Sequence, residues 1–470
     1  MSTLAEQIDA FFKPFSDALS SVVFYKIEIG SVAVPLVVIW LISAGVILTF
    51  RLGFVNIRGF VHGWWLIFSG KKRKDEPGEI SHFEALSSAL SGTVGLGNIA
   101  SVPVAIALGG PGAVFWMIVA GFFGMTSKFA ECSLAVKYRK IDDKGTVYGG
   151  PMYYIEAVFG RLNLAWLGKG LAIVFAIAAM GASVSVFQVN QAHAQFSNVT
   201  GINAPLIFGI VISSLVAVVI IGGIKSIAKV TRVLVPFMGF IYMGAGLAIL
   251  LMNLPAIPGV IADIFQSAFG WGAAGGGVVG ALINGIQRAT YSSEAGVGSA
   301  AIAHAAVKTK DPMTEGYVAL LEPFIDTIVV CSMTALVILV TGVHEPFLFV
   351  DKGDIQGIEL TSAAFASAFS WFPMVLLISV LLFAFSTLVT WAHYGGQAAS
   401  YLFGKTRQVE IGFKILLCMA LSTGAALQLG SIIDFIDSML FTMAVPNIIA
   451  LYLLLPELRR DLTAYQGRLK

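Results

Sequence analysis

Repeated long apolar runs constrain the fold of this 470-residue chain more than any other feature. A helix needs about 20 apolar residues to cross the hydrocarbon core of a bilayer. Eleven candidate spans reach this length, at residues 31–50, 83–108, 112–137, 166–196, 204–223, 226–252, 276–306, 314–341, 373–403, 410–428 and 431–456. Four other stretches are predicted to lie at the interface or to form a short amphipathic helix, at 54–70, 149–160, 257–270 and 361–371.

The composition agrees with a membrane protein. The chain is 57% hydrophobic and 12% charged, whereas a soluble domain is about 25% charged. A soluble fold of this composition could not cover its surface with polar groups. The fold class is therefore predicted to be all-α integral membrane. Cys132, Cys331 and Cys418 lie in apolar stretches without metal-ligand spacing, which predicts packing roles.

The distribution of Lys and Arg predicts the orientation. If the N-terminus lies outside and eleven spans follow, the cytoplasmic loops receive most basic residues, including "KKRK" at 71–74. The external loops then hold only Lys13, Lys26 and Lys352. Cytoplasmic loops of membrane proteins carry an excess of Lys and Arg. We therefore expect an external N-terminus and a cytoplasmic C-terminus in a bacterial cytoplasmic membrane.

Two spans contain polar, glycine-rich segments. The first is "SGTVGLGN" at 91–98, and the second is "TYSSEAGVGS" at 290–299. Glycine costs a helix interior about 1 kcal/mol relative to alanine, although small residues also let membrane helices pack closely. Counted from 83–108 as the first span, 276–306 is the sixth. Five spans per unit would make the two units inverted relative to each other.

Paired interrupted helices in inverted repeats are typical of a midplane binding site in a secondary transporter. Unwinding frees N–H and C=O groups at a depth where they are costly unless a partner satisfies them. A substrate carboxylate suits the N–H groups at a half-helix N-terminus, and a sodium ion suits carbonyls and hydroxyls.

Four stretches resemble the alanine/glycine:cation symporter family. They are residues 85–139, "GGPMYYIE" at 149–156, "YSSEAGVGSAAIAHAA" at 291–306 and "FSTLVTWAHYG" at 385–395. The resemblance implies a LeuT-type fold of the amino acid–polyamine–cation superfamily with one extra N-terminal helix. It also implies import of small neutral amino acids with sodium or, in some members, with protons.

The implied domain organisation has six parts. They are an amphipathic segment at 1–30, the extra helix at 31–50, a basic cytoplasmic linker at 51–82, the first five-helix repeat at 83–252, the second at 276–456, and a cytoplasmic tail at 457–470.

The first interrupted helix also resembles that of the neurotransmitter:sodium symporters. By that resemblance the N–H groups of Leu96 and Gly97 would receive the substrate carboxylate. The sodium site would be formed by the carbonyls of Ser91, Val94 and Phe383 and the hydroxyls of Ser386 and Thr387. Thr93 and Asn98 would face the substrate and a second sodium ion.

The remaining walls of the pocket follow from the family resemblance. Gln188, Thr387 and Trp391 would form one wall. Ser292, Ser293, Gly296 and Val297 would form the other. A tryptophan and a valine close to the substrate leave room only for a small side chain, such as that of alanine, glycine or serine. The chain has Leu96 where many members have Thr, and Ser293 where many have Asn.

Several charged residues fall inside the apolar spans. Glu294 could be a sodium ligand or proton carrier, or a structural carboxylate that accepts backbone N–H groups or pairs with Arg288. Lys128 and Glu131 are predicted to form an i, i+3 ion pair. A water path could be lined by Asp326, Asp434 and Asp437. Packing or hydrogen bonding is expected of His304 and His393 more than proton relay.

These features distinguish three classes of function. The leading hypothesis is a sodium-coupled symporter without covalent chemistry, and the alternative is a proton-coupled or glutamine-transporting member of the family. An intramembrane enzyme would need HExxH, GxSG-type or GxGD motifs, which the sequence lacks. A channel would need a repeated filter-like loop. The expected partners are a small amino acid, sodium and lipid, with no other cofactor and no nucleic acid; a monomer suffices for transport.

Overall fold

A computed structural model describes residues 4–29, 32–69, 76–270, 277–348, 357–427 and 429–469. Most of these residues are helical, as predicted. The basic cluster at 71–74 and Lys352 lie outside the described residues, as do the first residues of predicted spans 31–50 and 276–306 and the last residue of 410–428.

The N-terminal region consists of a helix, a hairpin and a bent helix pair. Its elements are α1 (Leu4–Val23), the antiparallel strands β1 (Lys26–Ile29) and β2 (Val32–Pro35), α2 (Leu36–Arg51), α3 (Val55–Arg58) and α4 (Phe60–Phe68). The hairpin is a difference from the prediction of a helix beginning at 31. Pro35 closes the strand and precedes the first helical turn with an extended backbone, so α2 begins at Leu36.

The first predicted repeat begins with the interrupted helix. Its elements are α5 (His82–Thr93), α6 (Leu96–Ile99), α7 (Ser101–Gly109), α8 (Gly112–Tyr138), the paired strands β3 (Lys140–Ile141) and β4 (Val147–Tyr148), α9 (Pro151–Arg161), α10 (Ala165–Ser183), α11 (Val186–Thr200), α12 (Pro205–Ile220) and α13 (Gly223–Met252). A 3₁₀ turn (Leu254–Ala256) and α14 (Ile257–Phe269) follow the predicted repeat. Ser81 and Glu84 form a capping box at the start of α5, which fixes the helix boundary.

The second predicted repeat begins with the other interrupted helix. Its elements are α15 (Gly277–Ser293), α16 (Ala300–His304), α17 (Pro312–Ala319), α18 (Leu321–Pro323), a π-helical segment (Phe324–Cys331), α19 (Ser332–Thr341), a 3₁₀ turn (Glu345–Phe347), α20 (Ile358–Ala368), α21 (Phe372–Phe403), α22 (Arg407–Gly424) and α23 (Leu429–Leu469). The central helix α8 packs against both α15 and α17.

Six helices of the described residues are long and apolar enough to cross a membrane, or eight if each of two bent pairs is one span. The bent pairs are Leu36–Arg51 with Val55–Phe68, at 64°, and His82–Thr93 with Leu96–Gly109, at 49°. Helices also occupy the other predicted spans, 204–223, 276–306 and 410–428, but they are shorter, interrupted or less apolar. The count of eleven spans therefore stays a prediction.

Candidate substrate and ion site

The breaks in the two interrupted helices face each other. The first break is Val94–Gly95, between α5 and α6, and the second is residues 294–299, between α15 and α16. A Cβ atom on Gly97 would lie 3.4 Å from Cα of Ser292. The backbones thus approach closely at the position where the sequence predicts the binding site.

A small cavity lies beside these breaks. Its volume is about 20 Å³, which is enough for one or two water molecules. It is lined by Gly92, Thr93, Gly97, Ala182, Ser185, Gln188, Tyr291, Glu294, Trp391, Ile436 and Leu440. Elements of both predicted repeats therefore contribute to its wall.

Side chains satisfy the N–H groups that the first break frees. Asn98 Oδ1 accepts a hydrogen bond from the N–H of Gly95 at 2.9 Å. Gln188 Oε1 accepts one from the N–H of Leu96 at 3.2 Å. The amide predicted to receive a substrate carboxylate is therefore held by a neutral side chain that itself lines the cavity.

The second break is organised around Glu294, whose backbone is left-handed with φ of 54°. Its Oε1 accepts a hydrogen bond from Nε1 of Trp391 at 3.1 Å, and its Oε2 accepts one from the hydroxyl of Ser299. Asn447 on α23 donates to the carbonyl of Gly296 at 2.9 Å. Arg288 pairs instead with Asp437, so the predicted Arg288–Glu294 pair is absent from the described ion pairs.

Four of the five residues predicted to bind sodium, all except Val94, are linked by hydrogen bonds at the contact between α5 and α21. The hydroxyl of Thr387 donates to the carbonyl of Ser91 at 2.9 Å, and the hydroxyl of Ser91 donates to the carbonyl of Ser386 at 2.7 Å. The hydroxyl of Ser386 donates to the carbonyl of Phe383 at 3.0 Å. These oxygen atoms form a compact group of the kind that suits a hard cation.

A buried carboxylate connects the two interrupted helices near the second predicted sodium position. Asp326, in the π-helical segment, accepts hydrogen bonds from Asn98 Nδ2 at 2.7 Å and from the hydroxyls of Ser292 and Thr327 at 2.8 Å each. It is fully buried. Asp326 thus joins α6 to the end of α15, and its predicted place in a water path stays a prediction.

None of the four residues predicted for the second wall lines the small cavity. Ser293 lines a separate space against α2 and α8 together with Leu41 and Ser127. A Cβ atom on Gly296 would lie 2.7 Å from Cδ2 of Leu41, and Val297 is buried with its N–H bonded to the carbonyl of Glu294. Ser292 turns to Asp326.

The predicted Lys128–Glu131 pair is wrong. Lys128 Nζ lies 3.2 Å from Oε2 of Glu322 on α18, and Glu131 accepts a hydrogen bond from Asn447 at 2.8 Å. Both partners, Glu322 and Asn447, come from distant parts of the chain. The buried lysine therefore joins α8 to another helix and does not stabilise a single helix.

The residues of the small cavity that sequence reasoning missed include Ser185, Tyr291 and Ile436. Ser185 has a left-handed backbone with φ of 43° between α10 and α11, so one predicted span is kinked beside Gln188. The polar run "GASVS" before Gln188 is the only sequence signal of this kink. Tyr291 stacks edge-on against Phe187 at 5.5 Å, a contact that no sequence spacing indicates.

A larger cavity of about 330 Å³ lies between the small one and the N-terminal hairpin. It is lined in part by Lys26, Arg288 and Asp437. Arg288 lies over the ring of Tyr291 at 5.4 Å, and Tyr291 lines the small cavity. The ion pair and this ring therefore separate the two spaces.

Comparison with known proteins identifies what the chain resembles. The model of the sodium:alanine symporter family matches residues 19–470. The sodium/alanine symporter AgcS of Methanococcus maripaludis is 41% identical over 89% of this chain and 92% of its own length. The probable sodium/glutamine symporter GlnT of Bacillus subtilis is 33% identical over 89% of this chain and 85% of its own length.

Among solved structures, MhsT in complex with L-phenylalanine aligns with a TM-score of 0.52. The alignment covers 82% of this chain and 99% of that chain at 15% identity. At this identity the likeness extends to the fold alone.

Proposed function

Because the chain belongs to the sodium:alanine symporter family, we propose that it imports small neutral amino acids together with sodium by alternating access. The substrates we propose are alanine and glycine, with serine and D-alanine as further candidates. The observation that carries this proposal is the small cavity between the two broken helices, lined by Gln188, Glu294 and Trp391. Its lining combines polar side chains with the apolar side chains of Ile436 and Leu440 and the backbone of Gly97 beside the first break.

The substrate carboxylate would bind the N–H groups of Leu96 and Gly97 at the start of α6, after Gln188 turns away from Leu96. A hydrogen bond between two neutral groups, such as this one, contributes about 1 kcal/mol to stability, so a substrate carboxylate can replace the Gln188 side chain. Trp391 limits the side chain that the cavity accepts. The larger cavity would be the entry vestibule, closed by the Arg288–Asp437 pair.

The sodium ion would bind where α5 meets α21, at the carbonyls of Ser91, Val94 and Phe383 and the hydroxyls of Ser386 and Thr387. In this structure two hydrogen bonds cross the contact, from the Thr387 hydroxyl to the Ser91 carbonyl and from the Ser91 hydroxyl to the Ser386 carbonyl. A cation at this position would hold the two helices together. Sodium binding would in this way favour one conformation of the transport cycle, which is the physical basis of coupling.

Asp326 favours a second candidate, in which a proton or a second sodium ion is also transported. Its described hydrogen-bond donors, Asn98, Ser292 and Thr327, are all uncharged. A buried carboxylate among neutral donors is a position for a cation or a proton. The alternative substrate is glutamine, which the name of one relative at 33% identity supports.

We further propose a LeuT-type arrangement of eleven spans, with two inverted five-helix repeats at 83–252 and 276–456 and the N-terminus outside. The interrupted helices at the start of each repeat support the inverted symmetry. The location proposed is the cytoplasmic membrane of a bacterium, with the monomer as the transporting unit.

The test is uptake of radiolabelled alanine and glycine into proteoliposomes under an inward sodium gradient, with a potassium control and an imposed pH gradient. Thr387→Ala is the diagnostic variant. Thr390→Ala is its matched control, because Thr390 also donates to an α5 carbonyl, that of Ser88, at 3.2 Å but lies outside the proposed sodium site.

Sodium-driven uptake that Thr387→Ala abolishes and Thr390→Ala retains would support both the coupling and the site. Equal loss in both variants would mean that helix contact, and not sodium binding, is what Thr387 supplies. Uptake driven equally by protons would replace the sodium assignment with the second candidate. No uptake of either amino acid, with uptake of glutamine, would replace the substrate assignment.

A further inference from the structure

Five ionisable side chains form a continuous buried network away from the small cavity: His82, Glu315, His304, Glu322 and Lys128. Glu315 lies between two imidazoles, with Oε2 on Nδ1 of His82 and Oε1 on Nδ1 of His304. Glu322 extends the network: its Oε1 contacts Nε2 of His304, and its Oε2 lies 3.2 Å from Nζ of Lys128. Each carboxylate therefore bridges two nitrogen atoms.

This network joins α5, the first half of one interrupted helix, to α16, the second half of the other. His82 is the first residue of α5, and His304 is the last residue of α16. Glu315 lies on α17, Glu322 on α18 and Lys128 on α8. His82 is 9% exposed and the other four side chains are fully buried, so His82 is the link nearest to solvent.

The contacts of His304 define its protonation. An ionised carboxylate only accepts hydrogen bonds, and a neutral imidazole has a single N–H. Both ring nitrogens of His304 contact carboxylate oxygens, so the group of Glu315, His304 and Glu322 holds one proton that a neutral imidazole alone would not supply. With Lys128, two positive groups then balance two negative ones, which buried charges require.

Other ionisable groups on α8 and directly after it lie near this network without joining it. Glu131 is bonded to Asn447, and Cys132 lies within 4.8 Å of ligand atoms of His304 and Glu322. Arg139 donates to backbone carbonyls at Ala305 and Val307. Arg139 therefore holds the segment after α16 in place. The start of α5 meets the same region through the His82 side chain and through backbone hydrogen bonds of residues 79 and 80.

We propose that the contact of His82 with Glu315 is the latch of the inner gate, closed here, and that it separates when the site opens toward the predicted cytoplasmic side. This inference rests on the proposed transport function. The half-helix α5 is 12 residues long and is bent by 49° from the next half. Its first residue moves furthest when it pivots at the Val94–Gly95 break. The side-chain contact of His82 with Glu315 lies beside the backbone hydrogen bonds that join Glu79 and Ile80 to residues 306 and 308, so it strengthens the closed contact at the point of largest movement.

Hydrogen–deuterium exchange of the purified full chain in detergent, without substrate, tests the latch directly. His82→Ala and Glu315→Gln should each accelerate exchange of the 82–93 amides at least tenfold, with little change in α10. The matched control is His193→Ala, since His193 is buried to a similar extent, 8% exposed, but packs against Phe208 on α12. It should leave 82–93 unchanged.

Uptake kinetics in proteoliposomes provide the second readout. If the latch variants populate the inward-open state, the KM for external alanine should rise at least threefold, because the fraction able to bind from outside falls. Unchanged 82–93 exchange and unchanged KM would overturn the latch while the transport function stands. Faster exchange throughout the chain would also overturn it, since that result indicates a structural role only.

The two failures are distinguishable. If the native protein transports none of the amino acids tested, the proposed function fails, but the exchange experiment still reports whether His82 holds α5. If His82→Ala does not fold, Glu315→Gln removes the negative charge between the two imidazoles while it keeps the side-chain shape. Unchanged exchange in a folded Glu315→Gln variant would then overturn the latch.

Discussion

The two helix breaks are stabilised by side chains of different chemistry. At Val94–Gly95, two neutral side chains, Asn98 and Gln188, cap the freed N–H groups. At 294–299, the carboxylate of Glu294 takes two side-chain donors while its own backbone is left-handed. Two glycines with positive φ follow it, Gly296 at 86° and Gly298 at 91°.

This difference suggests different roles for the two breaks. A neutral hydrogen bond contributes about 1 kcal/mol, and bonds to charged groups contribute about 1.5–3 kcal/mol. The first break can therefore exchange its partners for substrate at small cost. The second is fixed by the carboxylate and by Asn447 and would serve as the rigid wall of the site.

The largest effect is expected for Glu294→Ala. The substitution leaves the indole N–H of Trp391 and the hydroxyl of Ser299 buried without their acceptor. Each unsatisfied group costs about 1–3 kcal/mol, so the free energy of unfolding should fall by about 3 kcal/mol and uptake should be lost. Unfolding in mixed micelles and uptake in proteoliposomes measure the two effects. Stability within about 1 kcal/mol of native would contradict a rigid second break.

Two glycine-to-alanine substitutions, one at each break, compare how well the two breaks tolerate an added side chain. Gly298→Ala adds a Cβ atom 2.7 Å from Cγ of Pro151 at a φ of 91°, which should destabilise the fold by about 1–3 kcal/mol. Gly95→Ala adds one 2.4 Å from Oγ1 of Thr387, at a φ of −143° that alanine tolerates.

Gly95→Ala should therefore fold normally yet lose sodium-dependent uptake, because the Thr387 hydroxyl must move. Thermal unfolding in detergent and the sodium dependence of alanine uptake distinguish the two variants. Equal destabilisation by both substitutions would remove the contrast between an adaptable and a rigid break.

A smaller effect is expected for Gln188→Ala. It frees the N–H of Leu96 and enlarges the cavity, so stability should fall by about 1 kcal/mol while the KM for alanine changes severalfold. Gln188→Glu is the informative companion, because its carboxylate competes with that of the substrate and should raise KM at least tenfold. If both variants keep the native KM, Leu96 does not bind the substrate.

Family membership and the positions of both breaks could be predicted from sequence. Glycines and hydroxyls inside apolar runs also occur where membrane helices pack closely, but two such polar segments indicate interrupted helices, and the family match and the helix boundaries confirm both predictions. The contact of Ser91 with Thr387 also matches the expectation that α5 and α21 meet, although sodium binding there stays a proposal.

The side-chain partners could not be predicted. Helical spacing suggested Glu131 for Lys128, but the observed partner, Glu322, is 194 positions away in sequence. A buried charge selects its partner from every helix that surrounds it, and one sequence carries no record of those neighbours. The same limit concealed the Trp391–Glu294 bond and the role of Asp326 between the two breaks.

The smallest effect is expected for Ser293→Ala. The family resemblance puts residue 293 in the substrate pocket, whereas its hydroxyl bonds Ala289 within α15 at 2.9 Å and faces Leu41 and Ser127. The KM for alanine should stay within twofold of native and the free energy of unfolding within about 1 kcal/mol. A KM shift comparable to that of Gln188→Ala would mean that the second break rotates toward the substrate during transport. In that case the second break would not be the rigid wall, and Glu294 would have to exchange its partners as Gln188 does.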